Sequence, residues 1–285
     1  MLQNRANMKQ IRNYLLGELR KNFSENESSS LIRLILEHAG YPSSVYLQDP
    51  NLVPGAETAR QITEIVSEIH TGRPIQYILG YTYFYDLKIR VDERALIPRP
   101  ETEEMVFHIP PGFTGKDRLI DLGTGSGCLA LALKKKFPES QVSGVEKSPE
   151  ALELARENGR LNKLEVDWSF GDLLDPGFSN TDGAYSLVVS NPPYVLISEK
   201  KLMKKNVLDH EPDSALFVTD NDPLVYYRSI AAFCKNKLRP GGLFWAEINE
   251  RFGKETALVF NKAGFKDVAI LRDIHGKERF INGRK

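Results

Sequence analysis

Strand-like apolar segments alternate with helical patterns from residue 117 to the end of the chain, and this alternation limits the possible fold more than any other feature. Five segments share a high content of apolar, β-branched and aromatic residues: 118–123, 141–146, 166–172, 185–191 and 241–249. Helical patterns fill 127–136 and 223–237, and Ser148 and Pro149 form a typical helix start after the second segment. Strands that alternate with helices predict an α/β fold with a mostly parallel, doubly wound sheet.

The end of the chain predicts a change of strand direction. Segments 267–275 and 277–283 are both strand-like, and only Gly276 separates them. So short a connection can join antiparallel strands, whereas parallel strands need a long crossover. We therefore expect the last strand of the sheet to be antiparallel.

The first 72 residues have a different pattern, which is helical. Apolar residues at helical spacing mark helices over 8–19 and 62–69, and the serine run 28–30 is expected to begin another. Three regions follow from these patterns: a helical domain over 1–72, a hairpin and linker over 73–110, and the alternating domain over 111–285.

The predicted linker contains two local signals. Residues 81–91 are rich in β-forming residues on both sides of Asp86 and predict a short hairpin. Pro98 and Pro100 exclude a helix around themselves, so a helix is expected to begin near Glu101.

The charge balance and the cysteine count exclude several classes of protein. Lys+Arg and Asp+Glu both number 38, which does not favour binding to nucleic-acid phosphates. No apolar run reaches the about 18 residues that cross a bilayer. Cys128 and Cys234 have neither disulfide-framework nor metal-ligand spacing. We expect a cytoplasmic protein without a membrane, nucleic-acid or metal partner.

A glycine-rich loop follows the first strand of the alternating region and opens a helix. It consists of Asp121, Leu122, Gly123, Thr124, Gly125, Ser126 and Gly127. Glycines let the backbone approach a ligand closely, and Glu146 ends the next strand, where a carboxylate can accept hydrogen bonds from both ribose hydroxyls. Together these features predict a nucleoside cofactor.

The spacing of the loop indicates which cofactor. A dinucleotide motif would require glycine at position 128, which is Cys128. Asp121 is also placed where it could contact a cationic amino group instead of a pyrophosphate. The loop resembles the motif of class I S-adenosylmethionine-dependent methyltransferases. In such folds, Asp172 and Leu173 after the third strand are expected near the adenine.

A second motif, Asn191-Pro192-Pro193-Tyr194, ends the strand-like segment 185–191. Two successive prolines stiffen the loop, so the side chain of Asn191 is held in place. Asn191 Oδ1 and the Pro192 carbonyl could each accept one N–H of an incoming NH₂ group, and the Tyr194 ring could pack against the flat substrate group. We predict that these four residues bind the acceptor, that Asn191, Pro192 and Tyr194 act in catalysis, and that Asn191 also contacts the cofactor.

Motifs across residues 73–285 closely resemble the HemK/PrmC family, the N5-glutamine methyltransferases of peptide chain release factors. The segments that carry the resemblance are Arg73 to Gly80, Phe84, Leu96 to Glu103, Asp121 to Gly127, Ser148 to Leu152, Asn191 to Tyr194, Glu211-Pro212 and Ala215-Leu216. The resemblance implies a Rossmann-like class I sheet, S-adenosylmethionine as methyl donor, and the glutamine of a Gly-Gly-Gln motif as acceptor. It also implies that the helical domain helps to dock the release factor.

Two departures from the family pattern concern the cofactor site. Glu146 stands where the family has Asp, and Leu173 stands where some members place an aromatic residue.

Three alternative functions remain: a glutamine methyltransferase of a ribosomal protein, a DNA or RNA amino-methyltransferase, and a non-catalytic nucleoside-binding module. The ribosomal-protein enzymes typically have Pro-Arg-Ser where this chain has Pro98-Arg99-Pro100, which favours the release-factor family.

Overall fold

The computed structural model describes residues 6–175, 177–178 and 184–285. Its α-helices are α1 (Met8–Leu19), α2 (Glu25–His38), α3 (Ser43–Gln48), α4 (Ala56–His70), α5 (Ile75–Leu79), α6 (Pro100–His108), α7 (Cys128–Lys136), α8 (Pro149–Asn162), α9 (Lys205–His210), α10 (Asp213–Leu216), α11 (Val225–Lys237) and α12 (Gly253–Lys262). Its strands are β1 (Tyr81–Phe84), β2 (Leu87–Arg90), β3 (Arg118–Leu122), β4 (Gln141–Glu146), β5 (Asp167–Phe170), β6 (Tyr185–Ser190), β7 (Val195–Leu196), β8 (Phe217–Val218), β9 (Leu238–Glu247), β10 (Lys266–Arg272) and β11 (Glu278–Arg284). Short 3-10 helices cover Ile197–Leu202 and Glu250–Phe252.

The chain forms two compact units. Met1–Gly80 and Lys205–His210 make up the helical unit, and Tyr81–Lys204 and Glu211–Lys285 make up the α/β unit. The helical unit contains α1 to α5 and α9, so the predicted helical N-terminal region is confirmed. The domain limits predicted at residues 72 and 110 differ from the limits of these two units, and they remain predictions.

Local sequence explains where the first helices of the helical unit begin. In α1, the predicted apolar stripe from Met8 to Leu19 is the buried face. The predicted start of α2 at the serine run 28–30 is wrong, because the helix begins at Glu25. Ser24 and Glu27 form a capping box there, which satisfies backbone N–H groups at the helix start.

The hairpin and the helix that follows it agree with the sequence. Strands β1 and β2 pair antiparallel, and Tyr85 and Asp86 between them both have φ of 52°. Positive φ at both central residues matches the two-residue turn whose twist suits a hairpin. Helix α6 then starts with Pro100 in its first turn, where a missing N–H costs no hydrogen bond.

Seven strands of the described residues form the main sheet, in the order β10-β11-β9-β6-β3-β4-β5. Strands β9, β6, β3, β4 and β5 are parallel to one another, and β11 is antiparallel to both β9 and β10. The predicted Rossmann-like sheet with an antiparallel last strand is therefore confirmed. No helix among the described residues is long and apolar enough to cross a membrane.

Aromatic side chains fill the core on one face of the sheet. The rings of Phe244 on β9 and Phe260 on α12 stack with centroids 4.0 Å apart, and Phe265 meets both of them edge-on. The sequence analysis did not predict α12. Only three of its ten residues are fully buried, and Phe260 is the one large apolar side chain among them, so the buried face carries no apolar stripe.

The sheet brings several functional segments to one edge. Strand order reverses at β3, which has β4 on one side and β6 on the other. Ligands of open α/β sheets bind outside the carboxyl ends of the strands at such a reversal. Glu146, Asn191 and Glu247 all end or directly follow neighbouring parallel strands at this edge.

Candidate functional site

A cavity of about 970 Å³, including the open space at its mouth, lies at this edge within the α/β unit. Most of the predicted site residues line it: Asp121, Gly123, Thr124, Gly125, Ser126, Glu146, Asp172, Leu173, Asn191, Pro192 and Pro193. Gly127 and Tyr194 are not part of the lining.

The glycine loop needs its glycines for two different reasons. Gly123, Gly125 and Gly127 have φ of 76°, 54° and 81°, a region that L side chains rarely adopt. A Cβ at Gly123 would meet open space, whereas a Cβ at Gly127 would lie 2.9 Å from the Trp168 ring and 3.0 Å from Ala155 Cβ. Gly127 therefore has a packing role, and its contact with the cofactor stays a prediction.

Asp121 is a buried carboxyl that lacks one partner. Its Oδ2 accepts a hydrogen bond from Thr124 Oγ1 at 2.5 Å, while its buried Oδ1 has no hydrogen-bond partner. Burial raises the pKa of Asp121 to about 7. A buried carboxyl with a free oxygen fits the cationic amino group that the sequence analysis assigned to it.

Glu146 is held by the backbone around it. Its Oε2 accepts a hydrogen bond from the Gly125 N–H (2.9 Å), and its Oε1 accepts from the N–H groups of Lys147 (2.8 Å) and Ser148 (3.0 Å). A carboxylate has about four acceptor positions, so about one remains for a ligand hydroxyl while these bonds persist. Binding of the ribose by Glu146 stays a prediction, with one hydroxyl better accommodated than two.

Asp172 and Leu173 follow β5 and line the cavity. Asp172 Oδ1 accepts a hydrogen bond from the Leu174 N–H at 2.9 Å, which closes a local turn. Leu173 also packs against the main core. Both residues are therefore placed for contact with a flat ligand group, and their adenine contacts stay predictions.

The side-chain amide of Asn191 has a fixed orientation. Its Nδ2 donates a hydrogen bond to Thr102 Oγ1 at 3.0 Å, and Thr102 Oγ1 donates to Glu247 Oε2 at 2.7 Å. Since Nδ2 is engaged by Thr102, Oδ1 is the amide atom left to accept a hydrogen bond from a ligand.

The sequence analysis assigned no role to Thr102 or Glu247. Both are buried, with exposures of 3% and 1%. Thr102 is part of the family motif from Leu96 to Glu103, and Glu247 follows the apolar run Leu243 to Ala246 at the end of β9, beside β6. A carboxylate at that strand end was a usable signal, but the sequence did not show that β9 neighbours β6.

Tyr194 is held by a hydrogen bond and by core packing. Its hydroxyl donates to Glu247 Oε1 at 2.8 Å, and its ring packs against the main core. Burial, followed by the nearby charge of Glu247, raises the pKa of Tyr194 well above its usual value. The ring does not line the cavity, and the packing of Tyr194 on the acceptor group stays a prediction.

Two family motifs meet at the rim of the cavity. The Arg99 guanidinium pairs with Glu211 at 2.6 Å, and Glu211 Oε2 also accepts a hydrogen bond from the Ile97 N–H at 3.2 Å. Pro212 and Ala215, after Glu211, line the cavity. The ion pair of Arg99 therefore links the proline-rich segment to the segment that begins at Glu211. The two segments are far apart in the sequence.

The sheet order, the glycine loop and the acidic strand end define a Rossmann-like class I methyltransferase. Residues 102–211 match the family model described as "Methyltransferase small domain". The chain is 36% identical over 280 residues to a release factor glutamine methyltransferase of Bacteroides thetaiotaomicron, covering 98% of this chain and 100% of that one. It is 40% identical over 224 residues to the Lactococcus lactis enzyme of the same name, covering 78% and 81%.

The chain belongs to the release factor glutamine methyltransferase family, and the resemblance found in the sequence motifs is confirmed. Among solved structures, a methyltransferase from Pyrococcus furiosus matches with a TM-score of 0.53 at 16% identity. That match covers 78% of this chain and 98% of the other, and it shows the shared fold.

Proposed function

We propose that this enzyme transfers a methyl group from S-adenosylmethionine to the N5 nitrogen of the glutamine in the Gly-Gly-Gln motif of peptide chain release factors. The observation that carries the proposal is the Asn191 amide, whose Nδ2 is held by Thr102 so that Oδ1 can accept a hydrogen bond in the cavity. The names of the relatives support the same substrate. A substrate that acts in translation would place the enzyme in the cytoplasm.

The residues of the cavity fit S-adenosylmethionine. The unpartnered Oδ1 of Asp121 suits the amino group of its methionine part, and Glu146 suits a ribose hydroxyl. Gly123 and Gly125 leave the loop without side chains where the ligand approaches. When bound, the cofactor supplies an electrophilic methyl group on a sulfonium centre.

The acceptor side of the cavity supplies orientation. A glutamine amide is a poor nucleophile because its nitrogen lone pair is delocalised into the carbonyl. Asn191 Oδ1 and the Pro192 carbonyl would each accept one N–H of the substrate amide and thereby aim its nitrogen. Such orientation can contribute up to about 7–11 kcal/mol in favourable cases.

Mass spectrometry of a release factor incubated with the enzyme and S-adenosylmethionine tests this proposal. We expect the Gly-Gly-Gln peptide to gain one methyl group, and fragmentation should assign the group to the glutamine side chain. A glutamine-containing ribosomal protein, DNA and RNA serve as competing substrates. Methylation of one of these in place of the release factor would refute the proposal, and binding of the cofactor without any transfer would indicate a nucleoside-binding module.

We further propose that the helical region over 1–72 contributes to binding of the release factor. Leu47 and Val53 in this region are exposed apolar side chains, at 64% and 53%. Leu47→Ser and Val53→Ser together should raise KM for an intact release factor about fivefold or more and leave methylation of a short Gly-Gly-Gln peptide unchanged. Leu258→Ser, at a 54% exposed position in the α/β unit, is the matched control. Equal KM values for intact release factor in the wild type, the double variant and the control would show that this surface does not take part in docking.

A further inference from the structure

A buried carboxylate lies behind the side chain that is proposed to hold the acceptor. Glu247 ends β9, which pairs with β6, and Asn191 directly follows β6. Glu247 does not line the cavity, and two hydrogen bonds through Thr102 link it to Asn191. The carboxylate is therefore set back from the cavity, behind a side chain that lines it.

The chemistry of the three groups sets the direction of each hydrogen bond. The Thr102 hydroxyl donates its proton to Glu247 Oε2. The Thr102 oxygen then accepts a hydrogen bond from its other neighbour, Asn191 Nδ2. The opposite orientation of the amide would place Oδ1 against the Thr102 oxygen with no proton between them, which leaves a buried hydrogen bond unmade.

The remaining contacts of Glu247 hold it in this role. Tyr194 donates to Oε1, so both carboxylate oxygens have a donor. Burial raises the pKa of Glu247, while the bonds from Thr102 and Tyr194 and the charge of Arg279 act in the opposite direction. Burying a carboxylate costs several kcal/mol, and apolar side chains could fill the same volume at lower cost.

We propose that Thr102 is a positioning residue for methyl transfer, and that Glu247 fixes the direction of its hydroxyl so that Asn191 presents Oδ1 to the acceptor amide. The inference rests on the proposed function. If the side-chain amide of Asn191 were flipped, Nδ2 instead of Oδ1 would face the substrate NH₂ group. Two hydrogen-bond donors would then meet. Thr102 thus decides whether the acceptor site attracts or repels an amide nitrogen, although Thr102 itself is not expected to bind the acceptor amide.

Isosteric removal of the Thr102 hydroxyl tests the inference. Thr102→Val should lower the single-turnover rate about 10–100-fold at saturating cofactor and release factor, with calorimetric affinity for S-adenosylhomocysteine within about twofold of wild type. Thr102→Ser restores the hydroxyl and should recover most of the rate. Thr256→Val removes another buried hydroxyl, which has no hydrogen-bond partner, and is the matched control with unchanged rate and affinity.

A double-mutant cycle separates positioning from general packing. In an Asn191→Ala background, Thr102→Val should change the rate less than about twofold, because the side chain through which it acts is gone. Glu247→Asp shortens the side chain by one methylene and withdraws the carboxylate from Thr102. Introduced alone, it should lower the rate about tenfold. Introduced into the Thr102→Val enzyme, it should lower the rate less than about twofold. Thermal unfolding of each variant measures any loss of folded protein, so rates refer to folded enzyme.

The outcomes distinguish this inference from the proposed function. A wild-type enzyme that methylates the release factor while Thr102→Val keeps its full rate overturns the inference alone. Equal slowing by Thr102→Val with and without Asn191 also overturns it, since Thr102 would then act independently of the amide. A wild-type enzyme that leaves the glutamine unmodified overturns the proposed function and this inference together.

Discussion

The two halves of the cavity are built in different ways. On the cofactor side, Glu146 is held by backbone N–H groups of Gly125, Lys147 and Ser148, two of which are its immediate sequence neighbours. On the acceptor side, Asn191 is held by side chains from α6 and β9, which lie far from it in the sequence. The cofactor side is therefore largely a property of local motifs, whereas the acceptor side depends on the assembled sheet.

This difference predicts different consequences of substitution. Backbone amides cannot be removed by changing a neighbouring side chain, so the cofactor side should tolerate changes outside the loop itself. The acceptor side relies on a chain of single hydrogen bonds, and each of these can be broken by one substitution. We therefore expect acceptor-side variants to lose turnover with intact cofactor binding, and cofactor-side variants to lose affinity.

The largest expected effect is on the acceptor side. Asn191→Ala removes the amide oxygen that is proposed to accept the substrate N–H, and it should lower the single-turnover rate about 10²–10³-fold. Asn191→Gln should be nearly as slow, because one additional methylene misplaces the amide. Asn261→Ala, at an exposed position, is the control. A fully active Asn191→Ala enzyme with normal stability would rule out the amide-orientation mechanism.

A smaller effect is expected for Glu146. Glu146→Ala removes the acceptor for the ribose and also frees the Gly125 N–H, so calorimetric affinity for S-adenosylhomocysteine should fall by about 1–3 kcal/mol. Glu153→Ala, at an exposed position on α8, should leave the affinity unchanged. If Glu146→Ala binds as tightly as wild type, Glu146 is a structural support of the loop and not a ligand contact.

The glycine loop allows a paired test within the cofactor side. Gly127→Ala places a Cβ against Trp168 and Ala155, so it should lower the free energy of unfolding by about 1–3 kcal/mol, measured by denaturant titration. Gly123→Ala shares the strain of a positive φ, but its Cβ meets open space beside the cavity, so it should cost less stability than Gly127→Ala and weaken cofactor binding more. The reverse pattern would show that Gly127, and not Gly123, faces the ligand.

The smallest expected effect is the pH dependence that arises from Asp121. Its pKa is raised from 3.8 to about 7, so the carboxyl carries its charge mainly above neutral pH. If the ionised form binds the amino group of the ligand, affinity for S-adenosylhomocysteine should rise about tenfold between about pH 6 and about pH 8. Asp121→Asn should bind weakly and without this dependence, and an unchanged pH profile in that variant would exclude Asp121 as its source.

The same raised pKa has a consequence for stability. Between pH 3.8 and about 7 the folded protein keeps the Asp121 proton that the unfolded chain has already lost. The free energy of unfolding should therefore fall as pH rises through this range, by an amount that Asp121→Asn removes. Thermal unfolding of both proteins without ligand across this range measures the difference.

Much of the fold could be predicted from periodic and capping signals. The stripe from Met8 to Leu19, the hairpin around Asp86 and the helix start at Ser148 are local patterns, and the structure confirms each of them. The predicted helix start at the serine run was wrong because a stronger local signal, the Ser24–Glu27 capping box, lies upstream. Helix α12 was missed because Phe260 is the one large apolar residue among its fully buried positions.

The sequence by itself determined the composition of the site: a glycine loop after a strand, a carboxylate at Glu146 and an amide at Asn191. These follow from residue types in short motifs, whose backbone conformations depend on glycine, proline and capping residues close in sequence. Only the tertiary structure decided that Gly127 packs against Trp168, that the Tyr194 hydroxyl donates to Glu247, and that Thr102 bridges Asn191 and Glu247. Those outcomes depend on which strands become neighbours and which side chains meet at their ends, and contacts between distant segments leave no periodic or capping signal in the sequence.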